Sequence, residues 1–498
     1  MSQSADLSVS DSHSQPTAVS APVAPARRVA AIDVARGVAL LGIFCVNIHY
    51  MGQPSGTYFD HHPPANADPF SVVAWYLYKT LCEGKFYPLF ATLFGAGLAL
   101  QFTRAFDREA RKDPSFPPSP WSIWWAHPIR RLIALLVIGL AHALLVWFGD
   151  ILVVYALLGF VMLLLVRLSI RGLLISASLL AGLTALFILV GVIGVALTGS
   201  ALPTAPAATT SETTIARAET AEAASTSAET VAPDEAPADA PSEAEAKPLV
   251  LDDSPPFDQI INGFRNGQLT GPWDQAYREL ETRALRDGPY SQLFAVRAIG
   301  WVMATFFTIL SGGTLILALF CLGAILVKAD LFHPRHEALH RRLSLFGLLV
   351  GIPIAVLATW AKPMSESQAW AALVYYVGFV FGGPLLTMGY LFTIVRWSHS
   401  GFASGIARLF ADAGRMALTT YLLCSILGTA VFYYWGLGWF GQTTTIEQFG
   451  ILVIIFAGVV LFARLWLGRF AFGPAEWIWR TVTYLRPQPL RKGAGLDE

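Results

Sequence analysis

Stretches of about twenty mostly apolar residues recur along the chain, each long enough to cross the hydrocarbon core of a bilayer as a helix. About ten can be marked, roughly at 30–50, 86–105, 129–148, 151–167, 173–198, 299–327, 342–361, 370–395, 412–436 and 447–467. Hydrophobic residues make up 54% of the chain and charged residues 14%, with a mean hydropathy of +0.53. A soluble domain carries roughly a quarter charged residues. The expected fold is all-α, a polytopic transmembrane helix bundle of about ten spans whose first partner is the lipid bilayer. Formal net charge is zero, so no basic surface argues for nucleic acid. The stretch 70–84 is too short and too polar for a span of its own and is expected to lie along the interface or extend the second helix.

Lysine and arginine concentrate in cytoplasmic loops. Arg27 and Arg28 precede the first span, Arg104, Arg108, Arg111, Lys112, Arg130 and Arg131 lie between the second and third, and Arg167 and Arg171 follow the fourth. The series continues with Lys328, Arg335, Arg341 and Arg342, then Arg396 and Arg408, and ends with Arg469, Arg480, Arg486, Arg491 and Lys492. The intervening short loops are nearly bare: 51–69 and 437–446 have neither residue, and 362–369 has only Lys362. Ten spans with both termini in the cytoplasm satisfy every short loop.

Residues 1–26 are rich in Ser, Ala and Pro and are expected to form a disordered tail; small residues precede the apolar run, the reverse of a cleaved signal peptide. A five-span half is expected over 27–198. The low-complexity Ala, Thr, Glu and Pro stretch at 199–250 reads as a disordered linker, and 251–298 as short amphipathic helices on the periplasmic surface. A second five-span half follows over 299–485, with a short tail at 486–498. Cys45, Cys82, Cys321 and Cys424 show no CxxC or Cys/His spacing, so buried free thiols are expected rather than a disulfide framework, and no metal site.

Ionisable residues inside membrane segments are costly and by default face the bundle interior or a cavity. Asp33 and Arg36 share one helix face at the cytoplasmic mouth of the first span, either as an anchoring ion pair or as a site for an anionic group. Asp412 and Arg415 repeat the spacing, which makes Arg415 a second anchor or a positive-inside residue. Asn47 lies eleven residues beyond Arg36, about 16 Å along the helix, and reads as an interhelical hydrogen-bonding group or a group at the far mouth of the same path. Glu83 and Lys85 sit at the periplasmic edge, where snorkelling is the plain explanation for the lysine. Gly149 and Asp150 make the turn of a tight hairpin. His142, about two turns inside the third span, is a candidate general base or a histidine bonded to a backbone carbonyl. Glu476 and Arg480 fall at i,i+4 spacing on a short amphipathic helix with Trp477 and Trp479. P-loop, HExxH and GxSxG patterns are absent.

The segments "IDVARGVALLGIFCVNI", "KFYPLFATLFGAGL", "GLAHALLVWFGDILVVYALLG", "GRMALTTYLLCSILGTAVFYYWGLG" and "GPAEWIWRTVT" span both halves. In these the chain resembles the YeiB-like family of bacterial multi-pass inner-membrane proteins, which carries a C-terminal domain of unknown function. The pattern of Asp33, Arg36, Gly37, Ala39, Leu40 and Asn47 is similar to the first span of the heparan-alpha-glucosaminide N-acetyltransferases. Those enzymes move an acetyl group from cytoplasmic acetyl-CoA to a sugar across the membrane. Other integral-membrane acyltransferases have an Arg and a His separated by ten residues. Here Asn47 holds the second position, and an amide cannot act as the base. The acetyltransferases place a histidine after the first span, where this chain offers His49, His61 and His62.

The resemblance implies an acyltransferase with acyl-CoA as donor, no permanently bound cofactor, and a periplasmic glycan or lipid-linked acceptor. Candidate catalytic residues are His142, Asp150 and Asn47; Asp33, Arg36 and Arg415 would hold the donor, and Lys85, Glu83 and His49 the acceptor. A membrane transporter of a small solute, or a non-catalytic membrane component, is the alternative.

Overall fold

The first span becomes the axis of the bundle. Helix α1 (Ala30–Gly52) is apolar on every side and 72% buried over its apolar window, as expected of a helix enclosed by others. The computed structural model describes residues 30–64, 67–110, 126–198, 249, 251–272, 274–366 and 368–492. The tail expected at 1–26, Arg27, Arg28, Arg111, Lys112 and the linker at 199–250 apart from Leu249 lie outside the described residues.

The helices are α1, α2 (Pro69–Leu81), α3 (Phe86–Ala110), α4 (Ala126–Leu145), α5 (Leu152–Leu165), α6 (Ile170–Thr198), α7 (Pro256–Arg265), α8 (Gln275–Asp287) and α9 (Tyr290–Phe307). They continue with α10 (Gly313–Lys328), α11 (Glu337–Ala361), α12 (Ala369–Val377), α13 (Gly383–Ser400), α14 (Ser404–Arg415), α15 (Ala417–Phe432), α16 (Thr445–Arg469) and α17 (Pro474–Tyr484). Among the described residues β structure is limited to an isolated bridge between Phe470 and Arg491. Five-residue π-helical segments, Thr308–Gly312 and Gly378–Gly382, join α9 to α10 and α12 to α13.

All ten expected apolar segments are helical, but they do not all qualify as spans. Among the described residues eight stretches are long and apolar enough to cross a membrane, and α14 with α15 would make nine, although the pair is bent by 87°. Helix α5 has 14 residues, about 21 Å, short of a core of roughly 30 Å. One face is packed into the bundle, with Val153, Tyr155, Ala156 and Met162 buried, while Leu157, Val161 and Leu164 form an exposed apolar stripe. Residues 70–84 extend the second helix: α2 and α3 form one helical path, Pro69–Asp107.

The two halves of the sequence interleave. Helix α10 packs on α3 and α6 of the first half, while α13, α14, α15 and α16 of the second half surround α1. Gly37 of α1 lies against the carbonyl of Phe410, and Gly414 of α14 against the carbonyl of Asp33, so a Cβ at either position would overlap backbone. Small residues allow such contact between membrane helices. The basic loops meet at one end of the bundle. There Lys328 Nζ donates to the Leu168 carbonyl at 2.7 Å, and Trp479 Nε1 to that of Arg131 at 2.8 Å. This is called the basic end, and the other the far end.

At the basic end the chain breaks at Met416 and α15 departs at 87°. The freed amides of its first turn are taken by Glu476 of α17, whose carboxylate accepts from Leu418 N at 2.6 Å, Thr419 N at 3.1 Å and Thr419 Oγ1 at 2.6 Å. The expected Glu476–Arg480 pair does not form. Charge-assisted bonds to helix-terminal amides draw the carboxylate inward, and the Arg480 guanidinium lies over Phe472 at 4.3 Å. Burial raises the Glu476 carboxyl above its ordinary value.

At the far end the expected amphipathic helices are α7 and α8, with a small core of Ile260, Leu269, Tyr277, Leu280, Ala284 and Val296. They lock onto the 3-10 turn Ser55–Phe59: Arg278 pairs with Asp60 at 2.7 Å, and Glu281 accepts from Ser55 N at 2.8 Å and Ser55 Oγ at 2.9 Å. Burial pushes the Glu281 carboxyl up to about 7 from 4.5.

Two outcomes follow. Gly414→Val is expected to lower stability in detergent by about 1–3 kcal/mol through backbone overlap, read from thermal unfolding. Because the folded Glu281 holds its proton more tightly than the unfolded one, its contribution is complete below pH 4.5 and is lost as pH rises through about 7. Hydrogen exchange at residues 55–59 should therefore accelerate over that window, and Glu281→Gln should abolish the dependence.

Candidate functional site

His142 lies in the last turn of α4, one turn from its end rather than the expected two, because the helix closes at Leu145. The turn that follows carries Asp150 back beneath it. His142 Nδ1 and Asp150 Oδ2 are 2.8 Å apart, with side chains 1% and 0% exposed. Asp150 Oδ1 accepts from Val153 N at 2.8 Å in the first turn of α5, so the carboxylate is fixed from both sides. The Tyr421 ring of α15 packs on the imidazole, centroids 5.0 Å apart. His142 Nε2 is buried and has no hydrogen-bond partner among the described residues. A carboxylate on Nδ1 assigns the proton there and leaves the Nε2 lone pair for a proton acceptor's task. The same pair also pins the α4–α5 hairpin.

A second polar cluster is buried at the far end. Gly84, at φ +76°, interrupts the helical path between α2 and α3 in a conformation that glycine adopts without strain. Glu83 and Lys85 on either side of it are both buried, at 5% and 4% exposure, so Lys85 does not snorkel to the interface. Glu83 accepts from Tyr50 Oη at 2.7 Å and Lys79 Nζ at 2.8 Å, Tyr78 Oη donates to Tyr50 Oη at 2.9 Å, and Lys85 Nζ donates to the Lys79 carbonyl at 2.9 Å. Lys362, also buried, lies over the Tyr375 ring at 5.6 Å.

His49 Nδ1 meets Gln448 Oε1 at 2.8 Å beside a cavity of about 10 Å³, the room of one water, lined by Cys45, Ile48, Tyr78 and Thr445 among others. His61 Nδ1 is engaged by the Lys362 carbonyl at 2.9 Å and Ser365 Oγ at 3.1 Å. Burial, helped by the Lys362 charge, lowers its pKa to about 4. His62 is exposed. Asn47 is half-buried and makes no side-chain hydrogen bond among the described residues, so it joins neither cluster.

At the basic end Arg36 Nη1 lies 3.3 Å from Asp33 Oδ1, and Arg36 Nη2 faces Gly97 of α3. Arg415 Nη1 lies 3.4 Å from Asp412, whose other oxygen takes Arg464 Nη1 at 2.9 Å. The α1–α14 crossing brings these two Asp-x-x-Arg pairs to one end. Arg131 stacks over Trp479 at 4.0 Å, within the field of Arg480 and Arg36. Lys79, Lys362, Tyr421 and Gln448 escaped the sequence reading. Lys79 lies in the stretch 70–84, too polar to mark a span, and Lys362 in a short loop whose composition speaks only to topology. Among the described residues no group of three or more His, Cys, Asp or Glu is placed to hold a metal ion.

Residues 326–486 match the family described as "Protein of unknown function (DUF418)". The chain is 27% identical over 476 residues to the "Uncharacterized protein YxaH" of Bacillus subtilis (strain 168), covering 93% of this chain and 96% of that one. It is 26% identical over 461 residues to the "Uncharacterized protein YeiB" of Escherichia coli (strain K12), covering 91% and 95%. Over more than nine-tenths of its length the chain is similar to these two proteins, and so resembles a YeiB-like family. No solved structure matches it.

In this YeiB-like chain the matched domain supplies Lys362, Tyr421 and Gln448, while His49, Glu83, Lys85, His142 and Asp150 precede it. Each far-end constellation thus needs both parts of the sequence. Asp150→Ala is expected to cost about 1–3 kcal/mol, because Nδ1 of His142 would be left buried without an acceptor; thermal unfolding in detergent measures it.

Proposed function

We propose that this membrane protein is an acyltransferase of the bacterial plasma (inner) membrane, with both termini cytoplasmic, that moves an acyl group, acetyl in the simplest case, from cytoplasmic acyl-CoA to a periplasmic glycan or lipid-linked acceptor. The observation that carries the reading is the buried His142–Asp150 pair with Nε2 unpartnered. In the proposed step the acceptor hydroxyl or amine gives its proton to His142 Nε2 as its oxygen or nitrogen attacks the thioester carbonyl. The C–S bond breaks, the thiolate leaves, and the imidazolium returns the proton to form CoA thiol. Asp150 stabilises the imidazolium between those events.

CoA is rich in phosphate, and Arg36, steadied by Asp33, offers it charge-assisted hydrogen bonds at the basic end together with Arg131 and Arg480. Arg415, tied to Asp412, is a further anchor there. From Arg36 the first helix runs about 16 Å to Asn47, the distance a pantetheine arm would cover, and His49, Glu83 and Lys85 lie on the acceptor side. The π-helical segments and the 87° break favour a second reading, a transporter, since interrupted helices mark transport sites.

Protein in liposomes is expected to transfer label from acetyl-labelled acetyl-CoA to a sugar or lipid acceptor. His142→Gln should lower the rate by about 10²–10⁴-fold, and Arg36→Ala should chiefly raise the KM for the donor. No transfer with any donor, combined with solute flux in the same liposomes, would replace the acyltransferase by the transporter.

A further inference from the structure

The far-end cluster carries more positive charge than its own residues neutralise. Lys79, Lys85 and Lys362 are 2%, 4% and 2% exposed, and one carboxylate, Glu83, stands among them. Only Lys79 reaches it within ion-pair distance, at 2.8 Å. Lys85 spends a proton on the Lys79 carbonyl. Lys362 has no carboxylate within 4 Å among the described residues; Glu83 attracts it from farther off and the Lys79 charge repels it. The nearby Asp60 is matched by Arg278 at 2.7 Å and so adds no net charge. His61, engaged by the Lys362 carbonyl, adds none near neutrality.

Three lysines against one carboxylate leave up to two positive charges without a partner in a space closed to solvent. Isolated buried charges cost several kcal/mol each unless a partner arrives. Tyr50 and Tyr78 are held by hydrogen bonds around Glu83, and Lys362 comes from the 3-10 turn Lys362–Glu366, apart from Lys79 in α2 and Lys85 in the turn before α3. The ammonium groups are the donors that an oxyanion would meet there. The charge that balances the cluster is a dianion, which is the form of a phosphate monoester near neutral pH.

We propose that Lys79, Lys85 and Lys362 form a binding site for a phosphate-monoester group, borne by a soluble phosphate ester or by a lipid headgroup. Lys362 is its main ligand, because it alone of the three has no acceptor of its own. The proposal deepens the acceptor side of the function proposed above, and gives the acceptor a phosphate handle. Its test uses no acyl donor, so its outcome is independent of whether acyl transfer occurs.

The full chain in phosphate-free detergent would be titrated with inorganic phosphate and its unfolding temperature followed. In parallel, the chain would be placed in nanodiscs of phosphatidylcholine with or without phosphatidic acid. Saturable stabilisation of the wild type is expected in at least one arm. Lys362→Met should weaken it about tenfold or more, while Lys362→Arg keeps the charge and should retain it. Stabilisation by inorganic phosphate assigns the site to a soluble ester; stabilisation by phosphatidic acid alone assigns it to a lipid headgroup. Lys85→Met gives a second reading should Lys362→Met fail to fold. Absence of stabilisation in both arms, or stabilisation that survives Lys362→Met and Lys85→Met unchanged, overturns the proposal.

Discussion

A helix broken inside a membrane protein frees amides that no water is at hand to satisfy. The 87° bend at Met416 stands because Glu476 reaches in from α17 and accepts from the first turn of α15. That bend lets α14 lie across α1 at the basic end while α15 runs along it toward the far end. The Gly37–Gly414 contact, the shared position of the two Asp-x-x-Arg pairs and the placement of Tyr421 on His142 all depend on it. One carboxylate thus bears on the packing at both ends.

The polar groups divide by end and by exposure. At the basic end the arginines are only half-buried, stack on aromatic rings and share two carboxylates, an arrangement open to an anion from solution. At the far end Lys79, Lys85, Lys362, Glu83, His49 and His61 are buried, and the cavity beside His49 has room for about one water. Strong electrostatic interactions in such a site come from low dielectric surroundings, and access requires the covering elements to move. The 3-10 turn Ser55–Phe59, clamped by α8 through Arg278 and Glu281, lies against the cluster, with the Tyr58 ring 5.3 Å from that of Tyr50.

Much of this was legible in order and in kind. The apolar segments gave the helices, and the His142 and Asp150 candidates turned out to face each other because an eight-residue separation across a tight turn leaves little freedom. The reading failed where a side chain's fate depended on distant sequence. Lys85 was expected to snorkel, yet Gly84 turns it inward against α2. Glu476 was expected to pair with Arg480 four residues on, but helix amides 58 residues earlier in the chain hold it. Asn47 shared the first helix with His49 and Tyr50, and the packing of α1 left it outside both clusters.

The sequence by itself determined that the chain is an all-α membrane protein, because the bilayer penalises unpaired backbone polar groups so strongly that long apolar runs have one solution. It also set which loops are basic, since charge placement is local. Only the tertiary structure decided which buried charges meet. Lys362 joins Lys79 at a sequence separation of 283, and Gln448 meets His49 at one of 399. The physical reason is that a helix fixes the direction of a side chain but not its partner. The partner is chosen by helix crossings that depend on glycines and caps far away in the sequence.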